Sequence, residues 1–101
     1  MVENLSEMLR IANENYRAWK ELAEKERDLE EAKRLFKKSI FWLETYTAAL
    51  FLSNVEKNIA FAKTEEEKKE MEKLVKQGKA RLAARLLKYA ETALSDLNKM
   101  L

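Results

Sequence analysis

The side chains of this sequence that are best suited to chemistry are cations close to aromatic rings. One cluster precedes an aromatic pair in the middle of the chain, and a second lies towards the carboxyl end. The first comprises Lys33, Arg34, Lys37 and Lys38 ahead of Phe41 and Trp42, and the second comprises Arg81, Arg85 and Lys88. Because cations hold phosphates and aromatic rings stack on bases, this combination could bind RNA or single-stranded DNA. The alternative is a pair of ordinary solvated helix faces whose cations pair with nearby acids.

One acidic residue, Glu44, lies inside the most apolar stretch of the sequence. Thr47, Asn54 and Asn58 follow it on nearly the same side of a helix. A carboxylate among such neighbours could form a buried polar site for a ligand or a cation. It could also reach solvent or an arginine of a neighbouring helix, and this is the interpretation that we favour.

The residue types that most enzymes use are missing from the chain. It contains no Cys and no His, which excludes disulfides, thiol nucleophiles and the commonest general base and metal ligand. Phosphate loops, dinucleotide fingerprints and zinc boxes need more Gly, Cys or His than this chain has. We therefore expect a protein that is not an enzyme and that holds no metal or cofactor.

Length and charge limit what the chain can build and attract. Its 101 residues carry 20 Lys and Arg against 18 Asp and Glu, a formal net charge of +2. Such a balance gives no general attraction to nucleic acid, so any charge-driven binding must be local. A chain of this size supports one compact core, and we expect a single helical domain over residues 1–101.

The elements that position these residues are predicted to be helices. The chain has no Pro and one Gly, and it is rich in Ala, Leu, Glu, Lys and Arg, which are the strongest helix formers. We expect an all-α fold, specifically an antiparallel bundle of three helices, or four if one of them breaks, with two long members.

Capping residues predict where the helices begin. Asn4, Asp28 and Thr64 each stand three residues before a Glu, and this spacing satisfies the unpaired N–H groups of a helix start. The predicted helices run over about 5–26, 29–62 and 65–100.

Two residues and one segment could change these helix boundaries. Ser53 resembles a weak cap, and Gly78 could end a helix or lie inside one. We favour an unbroken last helix with Gly78 on its buried side, because the apolar spacing passes through Gly78 without a change of phase. A first helix continuing across 24–28 is also open, since Leu22, Leu29 and Phe36 keep a spacing of seven.

The middle helix is apolar on nearly every side, notably over 40–43 and 50–52. A helix of this kind must be surrounded, and two other helices are too few to cover it. We therefore expect a second copy of the chain, or a partner helix, to complete the bundle. The aromatic residues expected at this interface are Phe41, Trp42, Tyr46 and Phe51; plain core positions in a monomer are the alternative.

Membrane insertion competes with this interpretation. The apolar stretch over 39–52 contains Glu44 and is shorter than the roughly 20 apolar residues of a spanning helix. We expect no membrane insertion. The first residues lack the basic start and apolar run of a secretion signal, so the expected location is the cytoplasm.

Two segments resemble a known helical hairpin. The stretch 28–40 places Ala32, Phe36 and Ser39 in the small, large and small positions that the second helix of a tetratricopeptide or microtubule-interacting-and-transport hairpin uses, and 77–83 is similar. The segments lie further apart than adjacent tetratricopeptide repeats, and Arg27 replaces the turn glycine. The resemblance implies peptide or helix binding in a groove.

The function predicted from the sequence is association. The chain is expected to act as a homodimer or as a module that binds a helix, with RNA or single-stranded DNA binding through the basic clusters as the alternative. Abundant Lys and Glu beside a single Gln and no Cys are also typical of a thermophile's protein.

Overall fold

The computed structural model describes residues 4–100, leaving aside the side chains of 93, 94 and 96–100. Almost all of this range is helical. The helices are α1 (Leu5–Lys25), α2 (Leu29–Asn58) and α3 (Glu65–Met100), and a 3₁₀ turn (Ile59–Phe61) follows α2. No strand occurs among the described residues, so the predicted all-α bundle of three helices is confirmed.

Each helix begins at the predicted cap. The side chain of Asn4 accepts a hydrogen bond from the Glu7 N–H at 2.7 Å, and that of Asp28 accepts one from the Glu31 N–H at 3.1 Å. Thr64 does the same for the Glu67 N–H at 3.0 Å. These bonds pair backbone donors that the first turn of a helix leaves free, so the three starts depend only on residues within one turn.

The helix ends and interruptions differ in part from the expectation. Neither Ser53 nor Gly78 breaks its helix, and the chain turns at 26–28, so a first helix running straight into the second is wrong. α2 ends at Asn58 instead of continuing to 62. There the Asn58 amide donates to the Asn54 carbonyl at 2.7 Å, and the chain tightens into the 3₁₀ turn, as helix ends commonly do.

α2 lies between the other two helices and runs antiparallel to both. The Lys38 ammonium lies 4.6 Å from the ring centre of Trp19 on α1. Towards α3, Phe41 stacks on Tyr89 with ring centres 4.5 Å apart, and Lys79 pairs with Glu56 at 2.8 Å. Among the described residues, the backbones of α1 and α3 do not approach within 8 Å of each other. α2 therefore joins the two halves of the molecule.

Small residues allow α2 to pack closely inside the bundle. Ser39, Thr45 and Ala49 are almost completely buried there. The Ser39 hydroxyl donates to the Phe36 carbonyl at 2.7 Å, and the Thr45 hydroxyl donates to the Phe41 carbonyl at 2.9 Å. Both buried hydroxyls are thus satisfied within their own helix, which removes the cost of burying them.

All three helices meet near the start of α1. Apolar side chains from each helix form one cluster there, consisting of Leu5, Met8, Ala49, Leu52 and Leu82. Gly78 faces this region, as predicted, and its α-carbon lies against the Leu52 side chain. The absence of a side chain at Gly78 lets α3 come close to α2.

Candidate functional site

A row of large apolar side chains on α2 is turned away from the rest of the molecule. We call it the outer face of α2, and it consists of Leu29, Phe36, Ile40, Leu43 and Leu50. These side chains are between 40% and 67% exposed. Their intervals of seven, four, three and seven residues place them on one side of a helix. The largest exposed apolar patch of a soluble protein is often a functional surface.

A second side of α2 is apolar too, but it is buried. Leu35, Trp42 and Ala49 repeat every seven residues on that side and lie in the interior. Each residue of this buried row points about 100° away from the next residue of the outer face, as Trp42 does from Leu43, because each helical residue turns by about 100°. α2 therefore has one apolar side that its own chain covers and a second that its own chain leaves uncovered.

The outer face deepens into a groove at its amino-terminal end. The groove has a volume of about 380 Å³ and lies between the end of α1 and the start of α2. Its lining consists of Ala23, Glu24, Leu29, Ala32, Lys33, Phe36 and Lys37. Its volume is in the range of small binding pockets, and its walls are suited to apolar side chains.

The four aromatic residues predicted at an interface do not share one surface. Trp42 is only 7% exposed and lies edge-on to Tyr89 at 5.4 Å between ring centres. Phe41 and Tyr46 are half-buried, and Phe51 is exposed. The four share a residue type but not a direction, because successive helical residues point about 100° apart. The buried Trp42 offers a partner almost no surface in this structure.

The outer face was missed at the level of sequence, although one signal for it was present. Leu29, Phe36, Leu43 and Leu50 repeat every seven residues, which is the interval at which helices pair along a seam. The buried row also repeats every seven residues, and each of its members precedes a residue of the outer face. The spacing alone therefore does not predict which row faces inwards.

The first basic cluster is largely engaged within its own chain. Arg34 forms hydrogen bonds with the Glu31 carboxylate through its Nε at 3.1 Å and 3.0 Å, and these lower the pKa of Glu31 from its ordinary value of 4.5. Lys33 pairs with Glu30 at 3.6 Å. Lys38 covers the Trp19 ring, while Lys37 is exposed.

The second basic cluster lies on α3 beside Phe41. Arg85 donates to the Glu44 carboxylate at 3.0 Å, and its guanidinium lies 4.4 Å from the Phe41 ring centre. The favoured interpretation of Glu44, an exposed residue that reaches an arginine of a neighbouring helix, is thereby confirmed. Arg81 and Lys88 are exposed. A shallow groove of about 320 Å³ is lined there by Phe41, Arg85, Lys88, Tyr89 and Thr92.

The two basic clusters have different neighbours. Lys38 is turned towards α1, whereas Arg85 is bound to Glu44 of α2. The antiparallel pairing of α2 and α3 places Arg85 and Lys88 beside Phe41. The acids at Arg34 and Arg85 reduce the charge that these groups could offer to a phosphate.

The described side chains show no geometry that points to metal chemistry or to a membrane span. Across the part of the chain that the structure describes, no three acidic residues converge into a metal site. Within the same residues, no helix has the length and apolar content needed to cross a membrane. Neither a protein-family model, nor a curated protein, nor a solved structure matches this chain. The outer face of α2, with five large apolar side chains exposed on one side of one helix, is the strongest candidate for a functional site.

Proposed function

We propose that this protein acts by association, using the outer face of α2 to bind another helix. The observation that carries the proposal is the row of five large apolar side chains that are 40–67% exposed on one side of α2. Because the side of α2 that is packed in the interior is apolar too, turning the helix would bury this row only by exposing the other one. The proposed role involves no catalysis.

The size of the outer face supports this proposal. Large side chains have surfaces on the order of 200 Å² each, so the exposed fractions of these five add up to about 450 Å² of apolar surface. A standard protein interface buries about 800 Å² per partner, of which somewhat more than half is apolar. The outer face alone therefore has the apolar area of one side of such an interface.

Introducing a charge into the apolar outer face tests the proposal. Leu43→Lys places a charge at its centre, and Leu87→Lys is the matched control, since Leu87 is 63% exposed on α3 and lies outside the face. The readouts are mass by light scattering and fluorescence polarisation of a labelled amphipathic peptide with Leu at heptad positions, with circular dichroism confirming that each variant is helical.

We expect the wild-type chain and Leu87→Lys to associate, either as a mass above the 11.9 kDa of one chain or by binding the peptide. Leu43→Lys should lose this association by tenfold or more, because burying an unpaired charge costs more than the 1.4 kcal/mol that a tenfold change represents. A wild-type chain that remains monomeric and ignores the peptide contradicts the proposal, as does a Leu43→Lys variant that associates normally.

RNA or single-stranded DNA binding is the second candidate function. The groove formed by Phe41, Tyr89, Arg85 and Lys88 favours it, because it places cations beside stacked rings. Binding of a single-stranded oligonucleotide should then weaken at least tenfold between low and moderate salt, as phosphate contacts release counterions. Lys88→Gln should weaken it further, with Lys73→Gln, elsewhere on α3, as the control. Absence of binding at low salt contradicts this candidate.

A further inference from the structure

We infer that the outer face of α2 binds the same face of a second copy of the chain, with the two α2 helices antiparallel. This inference rests on the proposed function and names its partner. Three properties of the face favour a second copy in this orientation: its repeat, the position of its charges and the groove at one end.

The repeat is the same in both directions. Reversing the helix places Leu29 where Leu50 stood and Phe36 where Leu43 stood, because the four residues are evenly spaced by seven. A two-fold axis through the middle of the row, near Ile40, therefore brings apolar side chains opposite one another along the whole face. Closed dimers require such a self-complementary surface.

The charges favour the antiparallel orientation over the parallel one. Lys33 lies beside the apolar row, between Leu29 and Phe36 in the sequence and on the wall of the groove. A parallel pair would bring the two copies of Lys33 together in the seam, where like charges repel. In the antiparallel pair they are separated by about 20 Å or more, at 1.5 Å per residue.

The edge of the face adds an attraction in the antiparallel orientation. Lys37 and Glu44 are seven residues apart and lie on the same edge of α2. Around the axis between positions 39 and 40, Lys37 of each copy lies within about 3 Å, measured along the helix, of Glu44 of the other. These long side chains can bridge that offset, giving two symmetric ion pairs. Arg85 binds Oε2 of Glu44, and a carboxylate accepts hydrogen bonds at both oxygens.

In the antiparallel dimer, side chains of the second copy also fill the groove at the start of α2. The antiparallel pairing places Leu50 and Phe51 of the second copy over the groove beside Leu29 and Phe36. Phe51 is 56% exposed, and the groove is about 380 Å³. A parallel pair would place the two grooves against each other and leave both unfilled. The two copies together contribute about 900 Å² of apolar surface, twice the share of one face.

The absence of Cys from the chain allows a clean test by cross-linking. Single substitutions Leu29→Cys, Ile40→Cys and Leu50→Cys are made in the full chain, and each purified protein is treated with a short bis-maleimide. All three positions are exposed by at least 40%, so the fold should tolerate the change, and circular dichroism verifies it. Ala80→Cys, exposed on α3, is the control for collisional cross-linking.

The antiparallel dimer predicts a specific pattern. Ile40→Cys should cross-link to itself, whereas Leu29→Cys and Leu50→Cys should each fail alone and should cross-link when mixed. In that orientation two copies of Leu29 lie about 30 Å apart, beyond the reach of the reagent. The yield of each expected product should exceed that of Ala80→Cys by at least fivefold.

Other outcomes overturn the inference in different ways. Self-cross-linking of both Leu29→Cys and Leu50→Cys indicates a parallel pair. A monomeric wild-type chain that binds the amphipathic peptide through Leu43 overturns the second copy as partner while the proposed function stands. A chain that associates with nothing overturns both.

Discussion

Gly78→Ala measures how closely α3 packs on α2. An ideal Cβ at this position would lie 2.5 Å and 2.6 Å from the two δ-carbons of Leu52, whereas carbon atoms in contact are normally about 3.5–4.0 Å apart. Leu52 is buried in the cluster shared by the three helices, which restricts its movement. Either Leu52 must leave its rotamer or α3 must move away from α2.

Two opposing effects set the magnitude. Ala is more favourable than Gly inside a helix by about 1 kcal/mol, and overpacking a core costs about 1–3 kcal/mol. We therefore expect Gly78→Ala to lower the free energy of unfolding by about 1 kcal/mol, or the melting temperature by about 4–8 °C. In a Leu52→Ala background the clash is gone, and the same substitution should stabilise the protein by about 1 kcal/mol.

The assay is urea unfolding followed by circular dichroism for the wild type, both single variants and the double variant. All are measured at one protein concentration, since association would contribute to stability. Ala80→Gly, on the exposed side of α3, reports the intrinsic difference between Gly and Ala. The expected coupling between the two sites is about 2 kcal/mol. A Gly78→Ala variant that is stabilised equally in both backgrounds would refute the packing argument.

Three other changes test separate features of the structure. Trp42→Phe should alter the free energy of unfolding by under about 1 kcal/mol, because it removes a buried indole N–H that has no protein hydrogen-bond partner. Trp42→Ala should lower the free energy of unfolding by about 3–5 kcal/mol. Equal losses for the two variants in urea unfolding would contradict this. Arg34 lowers the pKa of Glu31 from 4.5. The ion pair between the two side chains therefore stabilises the folded protein above pH 4.5, and this contribution is lost as the pH falls through the lowered pKa. Glu31→Gln should therefore flatten the fall in melting temperature between about pH 5 and pH 3, whereas an unchanged slope would assign that fall to other groups. The composition typical of a thermophile predicts a melting temperature above about 65 °C by calorimetry, and a lower value counts against it.

The helix starts and the continuity of α3 could be predicted because they depend on nearby residues. Thr64 and Glu67 lie within one turn of each other, and their hydrogen bonds form whatever packs around them. The apolar residues before and after Gly78 keep the same helical phase, which indicates a single helix. The end of α2 could not be placed in the same way, since no Gly or Pro marks Asn58 as a terminus.

The candidate site could be predicted only as a property of α2 and not as a set of residues. Trp42 and Phe36 are both large aromatic residues, yet the first is buried and the second is 46% exposed. Residue type does not distinguish them, and both belong to heptad rows. Their directions depend on which side of α2 the neighbouring helices occupy, and this is decided by contacts between residues far apart in the sequence.

The small buried residues of α2 have a consequence for the uniqueness of the fold. The outer and the buried apolar rows of α2 are one residue apart, so a helix turned by about 100° would still place an apolar side against α1. What opposes that rotation is bulk: Ser39, Thr45 and Ala49 are small where the helices touch, while Ile40, Tyr46 and Leu50 are larger. Enlarging a small member, for example by Ala49→Leu, would therefore weaken the preference for one rotational setting as well as crowd the interior. Deleting one residue near the start of α2 would move the outer row into the helical positions that now face inwards.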